Sequence, residues 1–246
     1  MRVAGVIPAR YQSSRFEGKP LADLLGKPML QHVWERARVA ACLDEVLVAT
    51  DDQRIFDAVR AFGGEAVMTS AEHRSGTDRV AEVIAARAAD VVVNIQGDEP
   101  MIDPRMIAEV VAPFRWNAGA GIVTLKKEVF GEEAFADPGV VKVVTDREGW
   151  ALYFSRSLIP HPRRRTAYFH VYEHVGLYAY TRECLLRLAE LPVSPLEEIE
   201  SLEQLRALEN GIRILVAETA CTEEAVSVDT PGDLEKVRRL WSGREA

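Results

Sequence analysis

Short apolar runs alternate with amphipathic segments in the N-terminal part of the chain. Four runs, several of them apolar on both faces, predict buried parallel strands: Val3–Ile7, Glu45–Thr50, Glu65–Met68 and Val91–Ile95. Three segments between them repeat apolar residues at three- and four-residue spacing, which predicts helices: Met29–Ala41, Arg54–Phe62 and Asp78–Ala88. This alternation predicts an α/β fold with a mostly parallel central sheet flanked by helices.

The pattern loosens after Asp98. The residues on either side of the turn sequence DREG are apolar and β-rich, which predicts a hairpin of Val140–Thr145 with Trp150–Ser155. The other predicted elements are a helix, two extended segments and two further helices: Met106–Phe114, Ala120–Lys126, Val175–Thr181, Pro195–Asn210 and Pro231–Trp241. We therefore predict one domain over residues 1–246, with a β-rich insertion at about residues 129–172.

Composition narrows the function classes. The 246 residues carry a net charge of −8, which disfavours broad attraction to nucleic acid or to an anionic membrane. The chain enters its first predicted strand directly, and no apolar run approaches the roughly 18 residues of a membrane span. Three isolated cysteines favour neither a disulfide framework nor a zinc site. We expect a cytoplasmic protein without a nucleic-acid or membrane partner.

The stretch IPARYQSSRFEGKPL, which follows the first predicted strand, holds three cations: Arg10, Arg15 and Lys19. This connection exceeds the roughly 2–6 residues that usually join a strand to a helix. The fourth predicted strand leads into QGDE, which contains Asp98. Ligands of α/β sheets bind beyond the carboxyl ends of the strands, where cations can hold phosphate and a carboxylate can hold Mg²⁺. Solvated loop charges are the alternative.

This loop matches neither of two common phosphate-binding motifs. Pro20 follows Gly18 and Lys19, which breaks the GxxxxGK[ST] pattern, and no GxGxxG follows the first strand. Any phosphate would therefore be held mainly by side chains and local main-chain amides.

Eight motifs resemble those of the 3-deoxy-manno-octulosonate cytidylyltransferase (CMP-Kdo synthetase) family, in the same order and nearly from end to end: IPARYQSSRFEGKPL, ATDD, HRSGTDR, NIQGDEPMI, ALYFSRSLIP, HVGLYAY, SPLEEIESLEQLR and VDTPGDLEKV. The resemblance implies a Rossmann-like nucleotidyltransferase (nucleotide-diphospho-sugar transferase) fold. It also implies a Mg²⁺-dependent reaction of CTP with the sugar acid 3-deoxy-D-manno-octulosonate (Kdo), which gives CMP-Kdo and diphosphate for lipopolysaccharide biosynthesis. Family members are usually homodimers, so the insertion is also a candidate dimerisation subregion.

The same resemblance implies roles for individual residues. The implied catalytic residues are Lys19, Arg15, Asp98 and Asp229, of which Asp98 and Asp229 would bind the metal. The implied nucleotide-binding residues are Pro8, Ala9, Arg10, Arg15, Lys19, Arg74, Ser75, Gly76, Gln96 and Asp98. The implied sugar-acid residues are Gln96, Arg156, His174, Tyr178, Glu197 and Glu200.

Several of these residues have structural alternatives. Asp229 could cap the following helix, although Thr230 and Asp233 already suit that role. Glu197 fits a capping box with Ser194. His174 and Tyr178 lie four residues apart, which places them on one face of a strand.

Two alternatives to the implied activity stay open. The sugar acid could differ, for example 8-amino-Kdo or sialic acid, since both would use the same nucleotide chemistry. The chain could also be a CTP sensor without turnover, although both carboxylates implied for the metal are present.

Overall fold

A computed structural model describes residues 1–164, 169–222 and 226–242. Its strands are β1 (Val3–Ala9), β2 (Asp23–Leu24), β3 (Lys27–Pro28), β4 (Glu45–Thr50), β5 (Glu65–Met68), β6 (Val91–Asn94), β7 (Ile122–Val129), β8 (Lys142–Thr145), β9 (Ala151–Ser155), β10 (Val171–Thr181) and β11 (Ile214–Glu218). Its α-helices are α1 (Met29–Arg38), α2 (Gln53–Ala61), α3 (Gly76–Ala85), α4 (Pro104–Val111), α5 (Glu132–Ala136), α6 (Arg182–Ala189), α7 (Pro195–Glu200), α8 (Gln204–Glu209) and α9 (Pro231–Ser242).

The chain divides into two compact units, the first comprising Met1–Ala108 and Glu223–Ala246. Four of its strands pair in the order β6-β1-β4-β5, and each of these pairs is parallel, whereas β2 and β3 form a separate antiparallel hairpin. β1 is almost entirely buried because it is apolar on both faces. The predicted α/β fold is confirmed. Since parallel strands share their carboxyl edge, the loops after β1, β4 and β6 emerge together.

The loop after β1 ends in a single 3₁₀ turn, Lys19–Leu21, which starts after Gly18 in the left-handed conformation (φ 71°). A buried apolar cluster holds the neighbouring elements together: Leu24, Met29, Met101, Val226, Val228, Leu234 and Val237. Since this cluster contains residues of α9 and of the segment before it, Asp229 lies beside the loop after β1.

The second unit comprises Glu109–Thr222. β7 lies between β11, its parallel neighbour, and β10, its antiparallel neighbour. β8 pairs with both β9 and β10. The predicted hairpin is confirmed as β8 and β9, and residues 165–168 of the predicted insertion lie outside the described residues. The organisation as one domain with an insertion stays a prediction.

Two features of the second unit differ from expectation. The prediction of one helix over Pro195–Asn210 is wrong, because Ser201 adopts a left-handed conformation (φ 52°) that ends α7 before α8 begins. α5, α6 and β11 were not predicted, although Thr181 caps α6 by accepting a hydrogen bond from the Cys184 amide. In the part of the chain that the structure describes, every helix is too short or too polar to cross a membrane.

Candidate active site

The loop after β1 borders a cavity of about 230 Å³ at the carboxyl edge of the first unit's sheet. Most of the residues predicted for nucleotide binding line it: Pro8, Ala9, Arg10, Lys19, Gly76, Gln96 and Asp98. Glycine keeps the loops close, because a Cβ atom on Gly97 would lie 2.7 Å from the Pro8 carbonyl oxygen. The main chain at the ends of β1 and β6 therefore bounds the cavity, and the Lys19 side chain lines it.

Lys19 joins the two carboxylates predicted to bind metal. Its Nζ atom donates a hydrogen bond to Asp98 Oδ2 at 2.9 Å and another to Asp229 Oδ1 at 3.3 Å. The guanidinium of Arg15 lies 3.0 Å from the same Asp229 oxygen. The Lys19 side chain is 15% exposed, whereas those of Asp98 and Asp229 are 29% and 38% exposed. Carboxylate oxygens thus converge on one cation at a place that solvent can reach.

Two sets of hydrogen bonds determine where the carboxylates of Asp98 and Asp229 lie. The amide of Val228 donates to the carbonyl of Asp98 at 2.9 Å, which ties the segment before α9 to the loop after β6. Thr230 and Asp233 cap α9, because the Asp233 amide donates to Thr230 Oγ1 at 3.3 Å and the Thr230 amide to Asp233 Oδ2 at 2.8 Å. The Asp229 carboxylate faces Lys19 instead of capping the helix.

Arg10 links the loop after β1 to the segment predicted to bind the nucleoside. Its Nη2 atom donates to the Ser75 carbonyl at 3.0 Å. Ser75 in turn forms a capping box with Asp78 at the start of α3. Burial, followed by the nearby charge of Arg79, lowers the pKa of Arg10. Arg74 is exposed at the same edge.

In the second unit, Arg156 and Glu200 share one hydrogen-bond network. Glu200 accepts from Ser155 Oγ at 2.7 Å and from the Arg156 amide at 3.0 Å. Burial alone would raise the pKa of Glu200, but these hydrogen bonds and one from Tyr153 lower it overall. The Arg156 guanidinium donates to three main-chain carbonyls, those of Pro138, Glu200 and Ser201. The predicted role of Arg156, to bind the carboxylate of the sugar acid, stays a prediction. In that role the guanidinium would bind the carboxylate in addition to these carbonyls or in place of them.

Glu197 makes structural contacts at the start of α7, the role that the sequence offered as the alternative to sugar binding. Its Oε2 atom accepts a hydrogen bond from the Ser194 amide at 3.1 Å, which supports the start of α7. It also forms a bidentate ion pair with Arg206, with contacts of 2.7 and 2.5 Å. Both side chains are largely buried, at 12% and 8% exposure, so this pair anchors α7 on α8. Its predicted role in sugar binding stays a prediction.

His174 and Tyr178 lie on one face, but they are closer than an ordinary strand allows. Four residues of a plain strand span about 13 Å, whereas these ring centroids are 5.3 Å apart. A bulge explains the difference, because His174 pairs with Lys126 and Tyr178 with Thr124, so that Gly176 and Leu177 are extra. With these two residues outside the register, the side chains of His174 and Tyr178 stay on the same face of the sheet and lie closer together.

Thr124 stabilises this bulge and orients His174. Its hydroxyl lies 2.9 Å from the Leu177 carbonyl oxygen and 3.1 Å from that of Val175, so it can donate to either. His174 Nε2 lies 2.9 Å from the same hydroxyl oxygen. Because the hydroxyl proton goes to a carbonyl, Nε2 carries a proton and donates it to Thr124.

The buried environment of His174 predicts acid-sensitive stability. Although the residue keeps some exposure, burial of its ring lowers the pKa of His174 from 6.5 to about 3. Between these values the unfolded chain binds the proton and the folded chain does not, so stability falls as pH drops through this window. From about pH 7.5 to pH 5, wild type should lose roughly 1–2 kcal/mol more unfolding free energy than His174→Gln.

Urea unfolding at both pH values measures this difference. His161→Gln is the matched control, because His161 is an exposed histidine of the same unit. Equal pH dependence in wild type and in His174→Gln would show that His174 is not held neutral by the fold.

Comparison with known proteins identifies the family. A cytidylyltransferase family model matches residues 4–214. The 3-deoxy-manno-octulosonate cytidylyltransferase of Syntrophotalea carbinolica is 54% identical over 99% of this chain and 100% of the relative. That of Geobacter metallireducens is 53% identical over 96% of each. The chain belongs to the 3-deoxy-manno-octulosonate cytidylyltransferase family.

A solved CMP:2-keto-3-deoxy-manno-octonic acid synthetase complexed with CTP has the same fold. It aligns with a TM-score of 0.94 at 49% identity and covers 99% of this chain and 100% of that chain. The family and the nucleotidyltransferase fold predicted from the eight motifs are both confirmed.

Some residues around these sites were not among those that sequence resemblance to the 3-deoxy-manno-octulosonate cytidylyltransferase family implied. Gln12, Ser13, Pro20 and Gly97 line the cavity of the first unit. Thr124 supports His174 through a strand pairing, and that pairing is a non-local contact. The four cavity residues lie within the motifs quoted in the sequence analysis, so the motifs could have been used to predict them. Thr124 lies in no such motif, and no local sequence pattern predicts its role.

Proposed function

We propose that this chain transfers the cytidylyl group of CTP to Kdo, giving CMP-Kdo and diphosphate. The observation that carries the proposal is the convergence of Lys19 Nζ and Arg15 on the carboxylates of Asp98 and Asp229, beside a cavity at the carboxyl edge of a parallel sheet. This arrangement supplies cations for a triphosphate and oxygen ligands for a metal. Membership of the 3-deoxy-manno-octulosonate cytidylyltransferase family supports the choice of both substrates.

In the proposed reaction, the anomeric hydroxyl at C2 of Kdo attacks the α-phosphorus of CTP. The new bond joins the C2 oxygen to that phosphorus, the bond to the bridging oxygen of the diphosphate breaks, and the hydroxyl proton is released. Negative charge develops on the non-bridging and leaving oxygens. Lys19 and Arg15 are placed to stabilise this charge more in the transition state than in the ground state.

The residues present fit a magnesium ion. Asp98 and Asp229 already direct carboxylate oxygens at one cation, and carboxylates are ligands that Mg²⁺ prefers. Among the described residues, no group of three or more His, Cys, Asp or Glu side chains is arranged so that it could hold a metal ion by itself. Phosphate oxygens and water would therefore complete the coordination. Held by Asp98 and Asp229, Mg²⁺ would neutralise phosphate charge and would lower the pKa of the attacking hydroxyl.

We assign the sugar acid to the second unit. Glu200 is an ionised acceptor for a sugar hydroxyl, and Tyr178 offers a phenol whose pKa is raised by burial, so it stays protonated. His174 is neutral, and because Nε2 donates to Thr124, its Nδ1 atom can accept a hydrogen bond from the sugar. Gln96 borders the cavity of the first unit, and its predicted contact with either substrate stays a prediction.

The experiment that tests the function measures diphosphate release with purified protein. CTP is paired in turn with Kdo, 8-amino-Kdo and sialic acid, with Mg²⁺ or with a chelator. We expect release with Kdo and Mg²⁺, and none with the chelator. Faster release with 8-amino-Kdo or sialic acid would reassign the substrate. Calorimetric CTP binding without release from any sugar acid would identify a sensor.

Glu200→Gln should weaken Kdo selectively. Loss of the charged acceptor should raise the KM for Kdo by the equivalent of roughly 1–3 kcal/mol, while CTP affinity stays within a few-fold. Arg156→Lys should act in the same direction, because an ammonium cannot form a bidentate contact with a carboxylate. Kdo kinetics alongside CTP calorimetry measures both effects.

Glu198→Gln is the control for this pair, since Glu198 is an exposed residue of the same helix. Equal weakening of both substrates would mean that Glu200 and Arg156 only hold the fold together. Unchanged Kdo kinetics would mean that the sugar binds elsewhere.

We also infer a cytoplasmic homodimer that serves lipopolysaccharide biosynthesis. Phe130 and Leu152, which lie within the predicted dimerisation subregion, are 76% and 62% exposed. These side chains would favour self-association if they form one contiguous apolar patch, which the dimer would then cover. Light scattering of the purified protein gives the oligomeric state, and a monomer at micromolar concentration would contradict the inference.

A further inference from the structure

Tyr11 lies at the base of the loop that carries Lys19, and both its main chain and its ring contact that loop. Its carbonyl accepts a hydrogen bond from the Gly18 amide at 2.9 Å, which draws the two ends of the loop together. Its ring lies against Gly18, because a Cβ atom on Gly18 would be 3.1 Å from the ring atoms Cζ and Oη. Tyr11 thus fixes the position of Gly18, the residue directly before Lys19.

Arg54, in the first turn of α2, holds the Tyr11 ring in turn. Its Cζ atom lies 3.3 Å from the ring centroid, which is a cation–π contact. Two hydrogen bonds fix the guanidinium, from Nε to Asp52 Oδ1 at 2.9 Å and from Nη2 to Asp52 Oδ2 at 2.7 Å. Asp52 also caps α2, since Oδ1 accepts from the Arg54 amide at 2.9 Å. A helix start therefore presents a fixed planar cation to Tyr11.

We propose that Tyr11, held by Arg54 and Asp52, is a positioning residue that places Lys19 for triphosphate binding. This rests on the proposed function, because it takes CTP as the ligand of Lys19. The chain of contacts runs from the start of α2 through the Tyr11 ring to Gly18 and then to the 3₁₀ turn that begins at Lys19. Without it, a smaller fraction of the protein has Lys19 in place, so turnover falls with that fraction and the apparent affinity for CTP falls to a smaller extent.

The test compares four variants with wild type in Kdo-dependent diphosphate release and in calorimetric CTP binding without Kdo. Arg54→Ala and Tyr11→Leu should each lower kcat by about tenfold and raise the KM and Kd for CTP by a smaller factor of about five, with the KM for Kdo unchanged. Arg54→Lys should be partly impaired, because an ammonium lacks the planar face. Tyr11→Phe keeps the ring and should rescue CTP binding to within about twofold of wild type.

Arg60→Ala is the matched control, because it removes the same charge from an exposed position of the same helix. The double variant Tyr11→Leu/Arg54→Ala should bind CTP about as well as either single variant, since both changes break one contact. The proposal would be overturned if Arg54→Ala bound CTP as well as Arg60→Ala does. It would also be overturned if the losses of CTP binding in the two single variants added up in the double variant, or if the KM for Kdo rose as much as that for CTP. Absence of turnover in wild type would refute the proposed function instead, and CTP calorimetry would still decide the positioning role.

Discussion

Asp98→Asn or Asp229→Asn is expected to lower Kdo-dependent diphosphate release by about 10²–10⁴-fold, equivalent to ~3–5 kcal/mol on the barrier. Each change keeps the size of the side chain but removes a charge that faces the Lys19 ammonium and the proposed metal. Folding should be little affected, because both carboxylates are partly exposed and ion pairs of this kind contribute little to stability. Turnover at saturating Mg²⁺, together with thermal unfolding, measures both effects.

Asp57→Asn is the control for charge removal. Asp57 is an exposed residue of α2 that accepts a hydrogen bond from Gln53 at 2.8 Å, and its loss should leave turnover unchanged. Near-normal turnover of both Asp98→Asn and Asp229→Asn would rule out the two-carboxylate metal site. A large loss in one variant alone would leave that residue as the metal ligand.

Lys19→Ala is expected to lower kcat by about 10²–10³-fold, with a smaller rise in the KM for CTP. The reason is that Lys19 faces charge that grows during phosphoryl transfer, and an interaction made mainly in the transition state affects kcat. Arg15→Ala should harm both parameters, because the more exposed guanidinium, at 64% against 15% for Lys19, is placed to bind the incoming triphosphate as well. Steady-state kinetics with CTP varied at saturating Kdo separates the two parameters.

Lys27→Ala provides the comparison for Lys19. Lys27 lies in the neighbouring hairpin, pairs with Glu35 at 2.8 Å and is 44% exposed, so its loss should leave both kinetic parameters unchanged. A rise in the CTP KM alone after Lys19→Ala would make the lysine a ground-state anchor and would remove it from the catalytic step.

The parallel strands and the helices of the first unit could be predicted from sequence, whereas the 3₁₀ turn at Lys19 and the hairpin of β2 and β3 could not. β4 and β5 have the predicted bounds, because their apolar runs are short and have sharp ends. The grouping of Lys19 with Asp98 could be anticipated as well, since the carboxyl ends of parallel strands share one edge of a sheet. The hydrogen bonds from Lys19 to both carboxylates could not, because they depend on the path of the loop between Arg10 and Lys19.

The second unit was harder to predict because non-local contacts decide its details. Ser201 ends α7 through a single left-handed residue, which leaves no trace in the spacing of apolar positions. β11 exists as a parallel partner of β7, far away in sequence. The contacts of Arg156 with three carbonyls likewise depend on how three separate segments meet.

The bulge in β10 makes this strand tolerant to changes in its length. Gly176 and Leu177 stand outside the register with β7, so after loss of one of them Tyr178 can still pair with Thr124, because an ordinary bulge holds one extra residue. Loss of both would leave a regular strand in which Tyr178 lies two positions after His174 and still pairs with Thr124. A deletion at either position can therefore be absorbed by the bulge without separating Tyr178 from His174.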